Sequence, residues 1–208
     1  GAASFFFIYL SEMDHYLHAH CQEPTAVTER LAWYEARLRT VFTAALARDP
    51  DAHLAVMSDH GMTPVHAQYD LVGAIEKLGF KMPRHYLSIY DSTMARYWFF
   101  DDAARRAIVA ELERTACGRI LTDAELVELG IFFPDRRYGE LVFLFDPGWL
   151  FARSDFNGGG WQPAGMHGYH PTDPHSDAIF LSNWRPAHPP RTIVDLFGCL
   201  EEAAAGGR

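Results

Sequence analysis

Residues 56–62 read Val-Met-Ser-Asp-His-Gly-Met, an apolar stretch that runs straight into an aspartate–histidine pair and a glycine. Asp59 and His60 offer a carboxylate oxygen and an imidazole nitrogen, donors that suit zinc and other hard-to-borderline cations. A second apolar stretch, residues 5–10, leads to Asp14 and, four residues on, His18. On a helix-like turn, positions i and i+4 share a face, so both side chains could point at one ion. The third stretch, Gly-Met-His-Gly-Tyr-His over residues 165–170, offers His167 as a further ligand, which would leave a fourth position for water or substrate. The adjacent Asp59 and His60 could serve one ion together, or two neighbouring ions with one ligand leaning each way. Two cations about 3.5–4 Å apart form the clamp used for in-line displacement at phosphorus. Together the three stretches imply a two-metal hydrolase site.

Each stretch alone has an ordinary explanation. An Asp-x-x-x-His pattern arises often by chance, Asp-His-Gly after a strand can be a turn with a helix cap, and His167 can be a loop histidine. The combination carries the inference, because all three adjoin apolar runs and all supply ligand types that zinc takes. His170 and His175 sit beside the last stretch and are candidates for substrate contact or for hydrogen bonds that orient a ligand. His15, His20, His53, His66, His85 and His188 read as surface or structural histidines.

These residues need elements to hold them. Residues 5–10 are continuously apolar, as suits a strand buried on both faces. After a polar, His-rich loop, residues 25–47 place Val27, Leu31, Tyr34, Leu38, Val41, Phe42 and Ala45 at helical spacing, and Pro50 ends the run. Residues 53–58 give a second strand. Strand, helix, strand predicts a parallel pair with a right-handed crossover, and it puts Asp59 and His60 at a strand C-terminus, where open α/β sheets place their sites. Residues 70–78 predict a helix stopped by Gly79. Residues 95–100 then predict a strand and 101–116 an amphipathic helix. Thr122 and Glu125 predict a capping box for a short helix ending at Gly130, and residues 140–145 a strand that stops at Asp-Pro-Gly. Residues 157–160 are a flexible approach to the last motif, 178–182 a strand and 192–204 a closing helix.

The resulting fold class is α/β: a mostly parallel sheet with flanking helices and a small inserted α+β lobe. The organisation is a metal-binding core over 1–80, a cap-like lobe over 81–155 and the last part of the core over 156–208, which carries the final ligand. The lobe either shapes substrate choice or is a structural insertion. Tyr97, Trp98 and Trp161 could line an entrance, although aromatic residues in strands more often fill cores.

With 208 residues, 49% of them hydrophobic and 14% aromatic, the chain can bury a substantial core. Its net charge of −9 speaks against a nucleic-acid polymer or an anionic membrane as partner. A phosphorylated small-molecule substrate stays compatible, because bound cations reverse the local sign. Cys21, Cys117 and Cys199 have no metal-type spacing and suggest unpaired thiols in a reducing compartment. Residues 5–10 are too short for a membrane span and lack the flank of a signal peptide. A cytoplasmic location is therefore expected, unless a leader lies upstream of these residues.

Glu-Met-Asp-x-x-x-His (12–18), Ser-Asp-His-Gly-Met (58–62) and His-Gly-Tyr (167–169), in that order, resemble the alkaline phosphatase superfamily. Within it the pattern is most similar to the type I phosphodiesterase / nucleotide pyrophosphatase family, which includes phosphonoacetate hydrolase-like enzymes. The resemblance implies an alkaline phosphatase-like core, here incomplete, with two Zn2+ ions at strand C-termini and Mn2+ as an alternative. Asp14, His18 and His167 would match the ligands of one ion, and Asp59 and His60 two ligands of the other. A Thr or Ser oxygen would attack phosphorus to give a covalent phospho-enzyme.

In that family the nucleophile and one more aspartate lie upstream of the residues present here. Ser4, Ser11 and Ser58 are poor substitutes, since none follows a strand into a helix with the right partners. The expectation is thus a C-terminal portion, inactive alone, that self-associates or pairs with a companion N-terminal half. His170 stands where nucleotide-cleaving relatives carry aspartate, and it is the candidate substrate-binding residue. The activity implied is hydrolysis of a phosphodiester, nucleotide pyrophosphate or phosphonate. The alternatives are a metal-dependent phosphomutase or sulfatase relative, and a non-catalytic metal-binding domain.

Overall fold

A computed structural model describes residues 5–206, so Ser4 lies outside the described residues. The chain divides into two compact units, one made of Gly1–Gly61 with Asp177–Arg208 and the other of Met62–Ser176.

In the first unit the long helix is α2 (Pro24–Arg48). Pro24 sits in its first turn, where a missing N–H is no loss, and the Thr28 hydroxyl donates to the Pro24 carbonyl at 2.8 Å. The His-rich stretch before it, expected to be a loop, is helix α1 (Glu12–His20). Glu12 and Asp14 lie in its first turn and His18 and His20 in its last, the charge order that a helix dipole favours. The Glu12 carboxylate accepts hydrogen bonds from Arg30 at 2.6 Å and Tyr34 at 2.9 Å. The Arg30 guanidinium also lies 4.3 Å from the Tyr16 ring centre. Tertiary contacts with α2 thus stabilise a helix whose own sequence predicts none.

The strand predicted over residues 5–10 is not formed: this segment pairs with no strand among the described residues, and Phe6, Ile8 and Tyr9 are 69–76% exposed. Strand β1 (Ala55–Met57) pairs instead with β10 (Phe180–Ser182), antiparallel, with Val56 opposite Leu181. Among the described residues the parallel strand–helix–strand pair is therefore absent. A strand exists only through its ladder, and the partner of β1 is fixed by contacts 120–130 residues away. Asn183 is one of them: its Oδ1 accepts from Leu54 N–H at 2.7 Å and its Nδ2 donates to the Ala52 carbonyl at 3.0 Å. The closing helix is α6 (Leu196–Gly206), entered through a 3-10 turn (Ile193–Asp195) that Thr192 and Asp195 cap reciprocally.

The second unit is organised by an antiparallel sheet in the order β4 (Tyr86–Tyr90), β5 (Met94–Phe99), β7 (Leu141–Phe145), β6 (Gly118–Ile120). Strand β7 is buried at all five positions. Its alternation sends Leu141, Phe143 and Phe145 to a cluster with Leu71 and Ile75 of α3 (Leu71–Glu76) and with Ile108 and Leu112 of α4 (Asp102–Arg114). Val142 and Leu144 join Leu121 and Leu126, the latter on α5 (Asp123–Glu128). Helices therefore cover both faces of β7. Asp70 and Asp101 cap α3 and α4 by accepting from Gly73 N–H and Ala104 N–H. The Thr122–Glu125 capping box of α5 is present as predicted.

Two short pairings complete this unit. Antiparallel β2 (Thr63–Pro64) and β9 (Gly165–Met166) face each other, and β3 (Ala67–Tyr69) runs parallel to β8 (Trp149–Phe151). Leu150, Met166 and Tyr169 form a third buried cluster, with Val65 against it. The α/β class holds, but the sheet is not mostly parallel: among the described residues only β3–β8 pairs that way. Tyr97 is fully buried, which makes it a core residue and not an entrance. None of the three cysteines is in a disulfide. Among the described residues no helix is long and apolar enough to cross a membrane.

Candidate metal centre

Four of the five candidate ligands belong to the first unit. Asp14 and His18 project from successive turns of α1, and Asp14 Oδ2 lies 3.6 Å from His18 Nε2. Asp59 and His60 follow β1 directly. The chain between is held by Ser58, whose N–H donates to the Ile179 carbonyl at 3.1 Å while its hydroxyl oxygen accepts from Ile179 N–H at 3.0 Å. That bond engages Ser58 Oγ in structure, in keeping with its poor fit to a nucleophile. Asp59 Oδ1 lies 3.5 Å from His60 Nε2.

The tautomer of His60 follows from its second nitrogen. Nδ1 stands 2.8 Å from the Gly61 carbonyl, which can only accept. Nδ1 therefore carries the proton, and Nε2 presents a lone pair on the side of the Asp59 carboxylate. A backbone carbonyl holding the far nitrogen is the usual support of a metal-ligating histidine.

The separations decide between hydrogen bonds and ligand spacing. Charge-assisted N–H···O bonds run at about 2.7–2.9 Å, shorter than the 3.6 and 3.5 Å of the two Asp–His pairs. Two ligands on one tetrahedral ion with bonds of about 2.0–2.1 Å stand roughly 3.3–3.4 Å apart. Both pairs lie near that value. An Asp14 oxygen and a His60 ring nitrogen also come within 4.8 Å of each other. Oxygen and imidazole donors at this spacing fit zinc, and the carboxylates admit manganese.

The remaining candidates, His167 and His170, belong to the second unit. His167 follows β9, whose Met166 is registered against Thr63 of β2. After it, Gly168 adopts φ +89°, a left-handed conformation that glycine enters without a Cβ penalty. The Thr93 hydroxyl donates to the Gly168 carbonyl at 2.6 Å. Tyr169 is buried and donates to the Trp149 carbonyl at 3.1 Å; burial pushes its phenol well above the ordinary value, so it stays a neutral donor. His170 Nδ1 accepts from Thr172 N–H at 3.3 Å, with the Thr172 hydroxyl 2.8 Å away. In the neutral ring the proton therefore sits on Nε2, which makes His170 a hydrogen-bond donor to a substrate and a poor ligand through that nitrogen. His175 contributes its backbone N–H to the buried Asp173 carboxylate at 3.1 Å.

Reading the sequence misses Thr63, Thr93 and Asp173, all buried around this loop. Thr63 adjoins the Asp-His-Gly-Met motif and Asp173 lies in a proline-flanked turn, which are weak signals. Thr93 carries none.

Solved structures share this fold. Murine ectonucleotide pyrophosphatase / phosphodiesterase 5 aligns with a TM-score of 0.73 at 19% identity, covering 96% of this chain and 53% of the murine one. Its human counterpart aligns at 0.65 and 16% identity, covering 92% and 51%. Phosphonoacetate hydrolase from Sinorhizobium meliloti 1021 aligns at 0.52 and 18% identity, covering 76% and 42%. The chain thus spans about half the length of the solved relatives it matches. No curated protein matches it significantly. The type I phosphodiesterase / nucleotide pyrophosphatase pattern, by contrast, runs through residues 1–170, and the chain belongs to that family.

Proposed function

We propose that this chain supplies ligands for two zinc ions, or manganese in their place, in a hydrolase of phosphate esters. Asp14, His18 and His167 hold one ion in this reading, and Asp59 and His60 contribute to the other. The observation that carries it is the spacing of the two Asp–His pairs in the first unit, 3.6 and 3.5 Å, too long for charge-assisted hydrogen bonds and close to adjacent ligands of one ion. For His167 the support is chain connectivity: Thr63, three residues beyond His60, is registered against Met166, its neighbour. When bound, such ions supply positive charge that polarises a phosphoryl group and lowers the pKa of an attacking oxygen.

The chain's own residues orient that charge. The Gly61 carbonyl fixes the His60 tautomer, and His170 Nε2–H would donate to a phosphoryl oxygen of the substrate. The reading assigns no nucleophile among residues 5–206 and draws the attacking Thr or Ser from a companion N-terminal half. One relative, the murine phosphodiesterase, is described as an inactive threonine-to-alanine variant in complex with AMP. The Sinorhizobium enzyme is described in complex with phosphonoacetate. An anionic phosphorus group is common to both ligands, and we take a phosphodiester, nucleotide pyrophosphate or phosphonate as the substrate class. A cytoplasmic setting and a small-molecule substrate, without nucleic acid or membrane, complete the proposal.

The test is bound metal per chain after zinc loading and dialysis, for the parent and for Asp14→Ala and Asp59→Ala. Zinc retained by the parent and reduced by each substitution is the expected result. A folded parent that holds no zinc overturns the proposal.

A further inference from the structure

We infer that Thr93 is a positioning residue for His167, fixing the backbone that presents this ligand. The inference rests on the metal-binding reading of His167 and adds a residue to it. Thr93 lies in the turn between β4 and β5 and is 3% exposed. Its carbonyl accepts from Phe145 N–H at 2.9 Å, which anchors it to the buried strand β7. Its hydroxyl donates to the Gly168 carbonyl at 2.6 Å. Gly168 turns the chain at φ +89°, and a Cβ built there would stand 3.1 Å from Thr93 Oγ1. The two residues are in close contact, with little slack between them.

The other side of His167 is held by strand pairing. Met166 pairs with Thr63, and the Thr63 hydroxyl donates to Asp173 Oδ2 at 2.6 Å, both residues being buried. Asp173 N–H in turn donates to the His170 carbonyl at 2.9 Å, closing the loop after the ligand. The backbone before His167 is therefore held by the β2–β9 pairing and the backbone after it by the Thr93 hydroxyl, with the buried Thr63–Asp173 bond tying β2 to the loop that follows. An ordered ligand needs no further loop ordering when it binds a cation, and groups that orient ligands typically change metal affinity 10–100-fold when removed. Of the two hydroxyls, that of Thr93 bonds the backbone beside the ligand directly.

The test is Co2+ titration of the full chain, followed by visible absorption and by equilibrium metal content. Thr93→Val removes the hydroxyl and keeps the volume, Thr93→Ser keeps the hydroxyl, and His167→Ala is the reference. The expected result is that Thr93→Val weakens Co2+ binding about tenfold and shifts the absorption band, while Thr93→Ser stays within about twofold of the parent. If Thr93→Val does not fold, Thr93→Ala takes its place, since it too lacks the hydroxyl and adds no metal-binding group. The inference falls if the hydroxyl-free variant folds and matches the parent in affinity and spectrum while His167→Ala does not; the metal-binding reading then stands. It falls also if Thr93→Ser loses as much as Thr93→Val, which would make packing the cause. A folded parent that binds no Co2+ overturns both readings at once.

Discussion

Replacing Thr63 by valine keeps the shape of the side chain and deletes the hydrogen bond to Asp173. The Asp173 carboxylate is 6% exposed and takes 2.6 Å from the Thr63 hydroxyl on Oδ2 and 3.1 Å from His175 N–H on Oδ1. Without Thr63 one oxygen of a buried anion loses its donor, a loss of about 1.5–3 kcal/mol for a hydrogen bond to a charged group. The unit it belongs to, Met62–Ser176, holds roughly 115 residues, for which unfolding entropies near 2.1 cal/mol/K per residue convert about 2 kcal/mol into a fall of about 8 °C in Tm. Adding Asp173→Asn removes the charge that was left stranded. The double variant should therefore be more stable than the two single losses summed, by a coupling of about 1 kcal/mol or more. Urea and thermal unfolding of the parent, both single variants and the double variant measure this cycle. Losses that add to within about 0.5 kcal/mol would refute the reasoning, because the contact would then carry no energy of its own.

Thr122→Ala should destabilise the second unit by about 1 kcal/mol in urea titrations, the usual loss for a helix cap. Its partner Glu125 is held down to about 2 from an ordinary 4.5, chiefly by the Thr122 backbone N–H. A lowered carboxylate contributes above its unfolded value, so the stability lost in Glu125→Gln should be constant above pH about 4.5 and vanish as pH falls towards 2. Phe143→Ala, at a fully buried position of β7, should cost about 3–5 kcal/mol by the same unfolding measurement. The exposed apolar run over residues 5–10 should drive self-association or retention of a companion fragment; sedimentation showing a monodisperse 23.5 kDa monomer would count against it.

What the sequence made legible was short in range. The capping box of Thr122 and Glu125, the periodic run that becomes α2 and the glycine stops at Gly79 and Gly130 are set by residues within one or two turns of each other. The failures are long in range. Residues 5–10 have the composition of a buried strand, yet composition names no partner, and β1 found its own in β10, more than a hundred residues later. Helix α1 was hidden for the same reason, since Glu12 needs Arg30 and Tyr34. Strands β2 and β9 are two residues each and exist only through each other.

The same division runs through the candidate site. Asp14, His18, Asp59, His60 and His167 stand out in the sequence because metal chemistry restricts ligands to a few side chains, and because two of the pairs are local, adjacent or one helical turn apart. Nothing of that kind marks the residues that hold them. Thr93 reaches Gly168 across 75 residues and Thr63 reaches Asp173 across 110, each through one hydroxyl that sequence alone cannot tell from a surface threonine. A hydroxyl acquires its role from burial and from an acceptor at 2.6 Å, and both are properties of the folded chain. Ligand identity is thus a question of residue type and spacing, whereas ligand placement is a question of packing. The two can fail separately: a variant that keeps every ligand and loses one buried hydroxyl tests placement without touching identity.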